Sequence, residues 1–239
     1  MADLEAVIRD LAIANRILAR EGVVDAYGHV AVRHPERPDR YLLARSRSPE
    51  RVTRADILEY TFDGEPAVKP SPKPYTERFI HGGVFEARSD LMACVHNHAY
   101  SVLPFSVSKT PLRPMWHTAS GMGHVAPVWD IHDKFGDTNL LVVTVEQGRD
   151  LARALGNNVV ALMRGHGCIV VGRTLQAAII TAINTMLNAQ MLLAALQLGP
   201  VTYLSPGEVE KGLEMYYSPI MSTERAWEYY SGRCDLSDI

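Results

Sequence analysis

The chain has 239 residues, of which 47% are apolar and 21% are charged, and this composition excludes a mainly disordered chain. The net charge is −3 and the 24 basic residues are scattered, which predicts neither a nucleic acid partner nor binding to a membrane surface. We therefore expect a protein that acts on a small molecule. The three cysteines form no C-x-x-C pair, and their odd number favours reduced thiols and a cytoplasmic location.

No repeat or flexible linker interrupts the sequence, so we expect a single domain over residues 1–239, with a helical tail from about residue 205. Hydrophobic spacing and turn residues predict five elements in the N-terminal half. They are a helix at 3–21, strands at 28–33 and 40–43, a helix at 76–87 with Thr76 as its candidate cap, and a strand at 91–95.

The C-terminal half begins with a proline- and glycine-rich region at 104–127, which is long enough to form the wall of an active site. The elements predicted after it are a strand or helix start at 140–145, a helix at 148–155, strands at 159–163 and 168–171, a long helix from Thr174, and two short helices after Pro206. Helices and strands mix without a strict β-α-β alternation. We therefore predict an α/β fold in which helices flank a largely antiparallel sheet.

Residues 175–198 carry no charge and are numerous enough to span a bilayer. Thr181, Asn184 and Asn188 nevertheless recur at steps of three and four, which places a polar stripe along the helix. We therefore expect a helix that is buried in the core or at a subunit interface, and no membrane span.

The tripeptide His96-Asn97-His98 ends an apolar strand. Residues two apart on a strand point to the same face, so both imidazoles can reach one divalent ion. His166, between two glycines at a strand end, is the third candidate ligand, and Glu77 is the candidate carboxylate. Three imidazoles around a cleft leave a coordination position open, as in catalytic sites. The tripeptide alone is also typical of ordinary buried histidines, and that alternative stays open.

Four ordered motifs resemble the class II aldolase/adducin family: G-H-V-A-V-R at 28–33, Y-T-E-R at 75–78, V-H-N-H at 95–98 and R-G-H-G at 164–167. The resemblance implies a three-layer α/β/α fold around a mainly antiparallel sheet, and a homotetramer with sites between subunits. It also implies one divalent ion per subunit, zinc, manganese, cobalt or iron. The implied ligands are His96, His98, His166 and Glu77, of which Glu77 also acts as acid and base.

The sequence departs from the sugar-phosphate enzymes of that family at their phosphate-binding motifs. It has His29, Ser46-Arg47 and Tyr75-Thr76 where those enzymes have asparagine, Thr-Gly and serines. Arginine offers two parallel donors to a carboxylate, and rings line a flat pocket, so these residues suit a planar aromatic acid. The alternative is that Arg45, Arg47 and Arg51 form only a solvated basic turn.

These departures, with P-L-R-P-M-W-H at 111–117, resemble the decarboxylase branch of the family. The resemblance implies a carbon–carbon lyase of aromatic catabolism that removes carbon dioxide, without oxidation, from a hydroxylated aromatic carboxylate or dicarboxylate such as 3,4-dihydroxyphthalate. We expect Glu77, with a pKa raised by burial, to protonate the ring carbon, with His117 as the second candidate. Tyr229 is the candidate lid residue over a neighbour's site.

Three other functions are considered. The first is an aldolase or epimerase of a sugar phosphate or a hydroxy-acid aldehyde, which the altered phosphate motifs disfavour. The second is a scaffold like the adducin head domain, which predicts lost metal ligands. The third is an iron-dependent oxygenase of a prenylated hydroxyphenyl acid, since three histidines also suit iron.

Overall fold

The computed structural model describes residues 3–69, 71–216, 218 and 223–239. The helices are α1 (Leu4–Arg20), α2 (Phe79–Ala87), α3 (Leu103–Val107), α4 (His132–Phe135), α5 (Val145–Leu155), α6 (Leu175–Leu198), α7 (Pro206–Tyr216) and α8 (Thr223–Ser231). The strands are β1 (His29–Arg33), β2 (Arg40–Ala44), β3 (Ile57–Thr61), β4 (Ala93–Asn97), β5 (Val128–Trp129), β6 (Val160–Met163) and β7 (Gly167–Gly172). Short 3₁₀ helices lie at Pro49–Arg51, Arg54–Asp56 and His117–Met122.

The seven strands form one sheet in the order β3-β2-β1-β4-β7-β6-β5. Every neighbouring pair is antiparallel except β5 and β6, which are parallel. The register pairs His29 of β1 with His96 of β4, and Asn97 with Cys168 of β7. The start of β1, the end of β4 and the start of β7 therefore meet at one edge of the sheet.

The sheet separates two hydrophobic cores, because successive side chains of a strand point to opposite faces. On β1, Val30 and Val32 pack with α1 and α6, whereas Ala31 packs on the other face with α2 and α5. The same alternation assigns Val95 and Cys94 of β4 to different cores. The predicted three-layer α/β/α arrangement with a mainly antiparallel sheet is thus confirmed.

Most predicted helix boundaries are confirmed by their caps. The Asp3 carboxylate accepts a hydrogen bond at the start of α1, and Thr174 does the same for α6. The α5 helix ends at Gly156, which has a φ of 53°. Its start was predicted three residues late, because Thr144 and Gln147 form a capping box ahead of Val145.

The predicted start of α2 at Thr76 is wrong. Residues 76–78 form a turn, Thr76 is exposed, and the helix begins at Phe79 without a side-chain cap. Glu77 lies in this turn, where its carboxylate accepts a hydrogen bond from the backbone of Val142. The contact between Glu77 and Val142 therefore favours a turn at 76–78, where the local sequence predicted a helix.

The uncharged helix α6 packs along the sheet and against α1. It is the one helix in the described residues that is long and apolar enough to cross a membrane, and just over half of that stretch is buried inside the protein. The polar stripe has partners within the chain: Asn188 accepts from the backbone of Met115 and donates to the carbonyl of Arg113. The stripe therefore holds the irregular 111–122 region on the helix.

Helices α2 and α5 approach so closely that their backbones touch at two glycines. A Cβ added to Gly83 of α2 would lie 2.4 Å from the carbonyl of Gly148 in α5. Such a distance requires one helix to move away from the other. This contact fixes the position of α2 on the sheet.

We expect Gly83→Ala to lower the free energy of unfolding by about 2–3 kcal/mol, because the methyl group overpacks the helix contact. Gly207→Ala in α7 is the matched control, because a Cβ there meets nothing within 4 Å. The control should be neutral or slightly stabilising. Urea unfolding of both variants measures the difference, and equal free energies would contradict the helix contact described here.

Candidate metal centre and active site

Four side chains converge at the sheet edge. Glu77 comes from the turn before α2, His96 and His98 from the end of β4, and His166 from the turn before β7. One ligand atom from each lies within 4.8 Å of all the others. The Glu77 Oε2 atom is 3.5 Å from Nε2 of both His96 and His166, and the Nε2 atoms of His96 and His98 are 3.1 Å apart.

All three imidazoles present Nε2 to the centre because Nδ1 is engaged elsewhere. The Nδ1 partners are the carbonyl of Cys168 for His96, the carboxylate of Asp25 for His98 and the carbonyl of Leu140 for His166, at 2.9–3.2 Å. Such partners set the tautomer and the ring orientation of metal-binding histidines. Three oriented imidazoles and one carboxylate suit a divalent ion and leave positions for substrate oxygens.

The segment 139–142 fixes two of the four side chains through its backbone. The Val142 N–H donates to Glu77 Oε1 at 2.9 Å, and the Leu140 carbonyl accepts from His166. Leu140 has a φ of 67° and is the only described residue other than glycine with a positive φ. A leucine in this conformation is strained, so the contacts to the metal centre hold it there. The strand or helix start predicted at 140–145 is therefore wrong for residues 140–144, and α5 begins at Val145.

The expectation that burial raises the pKa of Glu77 is wrong. Burial does act in that direction, but hydrogen bonds and charge from His166 and His96 outweigh it and lower the pKa well below the ordinary value. Glu77 is therefore an ionised carboxylate in this arrangement. An ionised carboxylate suits a metal ligand and a proton acceptor, and donates a proton only after it has accepted one.

A cavity of about 770 Å³ opens onto the centre. All five predicted substrate-binding residues line it together with three of the predicted ligands: His29, Ser46, Arg47, Tyr75, Thr76, Glu77, His98 and His166. The fourth ligand, His96, is fully buried beneath the cavity. The structure thus brings these residues together, whereas their individual roles remain predictions.

Arg47 is held at the cavity wall by a buried carboxylate. Its Nη1 atom lies 3.0 and 2.8 Å from the two oxygens of Asp56, which also binds Arg45. Burial would raise the pKa of Asp56, but hydrogen bonds from Thr53, Arg45 and Arg47 lower it to about 2. One carboxylate is therefore shared by two arginines, and the wall keeps a net positive charge.

The rings of Tyr75 and His29 form another part of the wall, with centroids 4.6 Å apart. The Tyr75 hydroxyl donates to the carbonyl of Arg47 and so holds the 46–48 loop. Burial raises the pKa of Tyr75 to about 12, so this hydroxyl stays protonated. Tyr75 contributes a flat face, and its hydroxyl is occupied by the loop.

His117 and Tyr229 do not line the cavity of their own chain. His117 is exposed at the start of a 3₁₀ helix. Tyr229 on α8 is 59% exposed, and its hydroxyl accepts from Arg233. Their catalytic roles stay predictions, and for Tyr229 the predicted place is over the site of a neighbouring subunit.

Sequence reasoning missed several side chains of the site. Asp25, which binds His98, stands three residues before Gly28 in an irregular segment, and no periodic pattern marks it. Lys73 and Asn139 line the cavity from loops. His81, whose ring touches His29, is placed there by the position of α2. Only the position of Asp25 beside the G-H motif offered a local signal.

The sequence profile of the Class II Aldolase and Adducin N-terminal domain matches residues 9–193. The chain therefore belongs to the class II aldolase and adducin family, as its motifs indicated. The class II aldolases of this family use a divalent metal ion, which agrees with the donor set at the sheet edge. Membership also indicates a lyase.

Three proteins of stated activity are similar to this chain in sequence. Decarboxylase tropJ of Talaromyces stipitatus is 30% identical over 235 residues, which is 88% of each chain. The 4-hydroxy-3-prenylphenylpyruvate oxygenase/4-hydroxy-3-prenylbenzoate synthase of Streptomyces roseochromogenus is 30% identical over 76% of this chain and 65% of its own. The 3,4-dihydroxyphthalate decarboxylase of Arthrobacter keyseri is 27% identical over 73% and 72%, respectively.

Solved structures share the fold. An aldolase II superfamily protein from Pseudomonas syringae superposes with a TM-score of 0.79 at 20% identity, covering 96% of this chain and 92% of its own. An L-fuculose 1-phosphate aldolase superposes with a TM-score of 0.74 at 18% identity, covering 91% and 99%. At these sequence identities the similarity shows a shared fold and nothing about activity.

We expect Asp25→Asn to weaken zinc binding by about 10–100-fold, because the variant loses the carboxylate that orients His98. Asparagine keeps an oxygen for the backbone N–H groups of Tyr27 and Gly28, so the loop should stay in place. Competition with a chromogenic chelator measures the dissociation constant. Asp137→Asn is the control, because that carboxylate is fully exposed and outside the centre. An unchanged constant in Asp25→Asn would show that His98 needs no carboxylate partner.

Proposed function

We propose that this protein is a divalent-metal-dependent, non-oxidative decarboxylase of a hydroxylated aromatic dicarboxylate such as 3,4-dihydroxyphthalate. The observation that carries the proposal is the composition of the cavity. A centre of three imidazoles and a carboxylate faces a wall that combines cationic side chains with flat rings. An aromatic acid with neighbouring oxygens matches both parts.

The cationic side of the cavity supports an anionic substrate. Arg47 and Lys73 line it, and Asp56 offsets only one of the two arginines that it binds. The Nη1 edge of Arg47 is taken by Asp56, whereas Nε and Nη2 make no hydrogen bond within the described residues. Those two donors are the ones that a carboxylate binds in parallel.

The ring side supports a planar substrate. Tyr75 and His29 replace the small polar residues that the sugar-phosphate branch is expected to carry, and their rings are mutually tilted by 41°. Flat apolar faces with few polar groups are typical of pockets for aromatic ligands.

The residues of the chain account for the proton transfers. The ionised Glu77 accepts the proton of a substrate hydroxyl as the substrate binds, and returns it to the ring carbon as the bond to carbon dioxide breaks. The new C–H bond forms with an electron pair of the ionised hydroxyl, delivered through the ring. The electron pair of the breaking bond then returns through the ring to that oxygen as carbon dioxide leaves, and this restores the aromatic ring. A divalent ion, when bound, supplies Lewis acidity that stabilises this electron pair.

The names of two relatives support the proposal, since tropJ is a decarboxylase and the Arthrobacter keyseri protein is a 3,4-dihydroxyphthalate decarboxylase. The name of the Streptomyces relative favours an oxygenase as the second candidate. Decarboxylation without oxidation needs no oxygen, so the two functions separate under nitrogen. An aldolase is separated by its aldehyde product.

The proposal includes the assembly expected for the family. One divalent ion per subunit and a homotetramer with sites between subunits would let Tyr229 cover the cavity of a neighbour. His117 remains the second candidate for proton donation.

We expect the purified, metal-loaded protein to release one carbon dioxide per 3,4-dihydroxyphthalate under nitrogen. His96→Ala should lower this rate about a thousandfold or more, because the variant loses an ion that contributes several kcal/mol to the barrier. His132→Ala is the control, since His132 is exposed and outside the cavity. Turnover that requires oxygen, or an aldehyde product without carbon dioxide, would refute the proposal.

A second variant tests the cationic wall. Arg47→Lys keeps the charge but loses the parallel donors, so KM for the dicarboxylate should rise about tenfold or more while kcat changes less. Arg51→Lys is the control, because Arg51 belongs to the same basic turn and does not line the cavity. Steady-state kinetics with thermal unfolding checks both, and equal KM values would indicate that the turn is only a solvated surface.

A further inference from the structure

Two buried histidines lie side by side next to the metal centre. His29 on β1 and His81 on α2 are 2% and 0% exposed. The His29 Nδ1 atom lies 2.7 Å from the His81 Nε2 atom, and the rings meet edge to face. The pair joins the cavity to the buried interior, because His29 lines the cavity and His81 does not.

His81 is held rigidly behind His29. Its helix is fixed by the backbone contact between Gly83 and Gly148, and its ring lies 6.2 Å from the ring of Tyr41. The His81 Nδ1 atom is buried and has no hydrogen-bond partner within the described residues. The His81 ring therefore makes one hydrogen bond among the described residues, and its partner is His29.

The unpartnered nitrogen decides the direction of that hydrogen bond. Two neutral rings share one hydrogen between His29 Nδ1 and His81 Nε2. If His29 donated, the hydrogen of His81 would sit on Nδ1 as a buried N–H without a partner, which is rare in proteins. If His81 donates, its Nδ1 carries only a lone pair, and the hydrogen of His29 sits on Nε2.

We propose that His81 donates to His29 and thereby fixes His29 as a neutral N–H donor, which binds the carboxylate that leaves the substrate. The placement of His29 supports this choice: its ring centroid is 5.1 Å from that of the candidate ligand His96, and it lines the cavity beside the metal centre. His29 then contacts the substrate, and His81 is a positioning residue that acts through it. The inference rests on the proposed function for the identity of the ligand.

A neutral donor suits this position. A carboxylate held by a cation is stabilised before the reaction, and loss of its charge as carbon dioxide then costs more. An uncharged N–H orients the same carboxylate with a weaker hold on its charge. The tautomer set by His81 therefore affects both how His29 selects a carboxylate and how that carboxylate is oriented.

The first test reads the tautomer directly. Two-bond ¹H–¹⁵N correlation spectra of ¹⁵N-histidine-labelled protein, loaded with diamagnetic zinc, should show His29 and His81 both protonated on Nε2. In His81→Gln, whose amide N–H can take the place of the Nε2–H, His29 should keep this pattern. In His81→Leu the single pattern should be lost. A hydrogen on Nδ1 of His29 in the unmodified protein overturns the inference.

The second test uses two ligands that differ only in the carboxylate. We expect His81→Leu to weaken the binding of 2,3-dihydroxybenzoate about tenfold and to leave the binding of catechol unchanged. His81→Gln should restore most of the loss. A purely structural role for His81 predicts equal weakening of both ligands, and that result overturns the inference.

His34→Leu is the matched control, because His34 is also a buried histidine, 2% exposed, and lies at the opposite end of β1. It should preserve the binding ratio of the two ligands even where it lowers the melting temperature. The tautomer and the binding ratio require no turnover. Absence of carbon dioxide release with both expected results therefore refutes the proposed function alone, whereas an Nδ1–H on His29 refutes the inference alone.

Discussion

An imidazole offers an ion only one of its two nitrogens, and the partner of the other nitrogen decides which one. In this protein two backbone carbonyls and one carboxylate make that decision for all three histidines of the centre. The acceptors come from β7, the segment before β1 and the segment before α5. The geometry of the metal centre therefore depends on the sheet register and on two connections at once.

The same rule extends to the substrate side of the cavity. His81 orients His29 as the backbone carbonyls and Asp25 orient the candidate ligands. The difference is that His81 donates the hydrogen bond, whereas the carbonyls and the carboxylate accept one. Acceptors behind the ligands leave lone pairs facing an ion, whereas a donor behind His29 leaves an N–H facing an anion. One residue type thus provides cation-binding and anion-binding groups side by side, distinguished by what lies behind each ring.

The motifs predicted the fold and the ligand set because strand periodicity and the R-G-H-G turn are local properties. The alternation along the strand placed His96 and His98 on one face, and hydrophobic spacing predicted the helices that the structure shows capped at Asp3 and Thr174. The roles of Asp25 and of the 139–142 segment were missed, because both serve partners far along the chain, and only the position of Asp25 beside the G-H motif offered a local signal. The predicted direction of the Glu77 pKa shift was wrong for a similar reason. The sequence indicated that the carboxyl group is buried, but not that two distant histidines bind it and lower its pKa.

The complete burial of His96 has a consequence for how the ion exchanges. Glu77, His98 and His166 line the cavity, whereas His96 lies beneath them with no exposed surface. An ion therefore enters and leaves by the route that an organic ligand takes. With the proposed aromatic acid bound in the cavity, this exit would be closed behind the ion, and release of the ion would then follow release of the ligand.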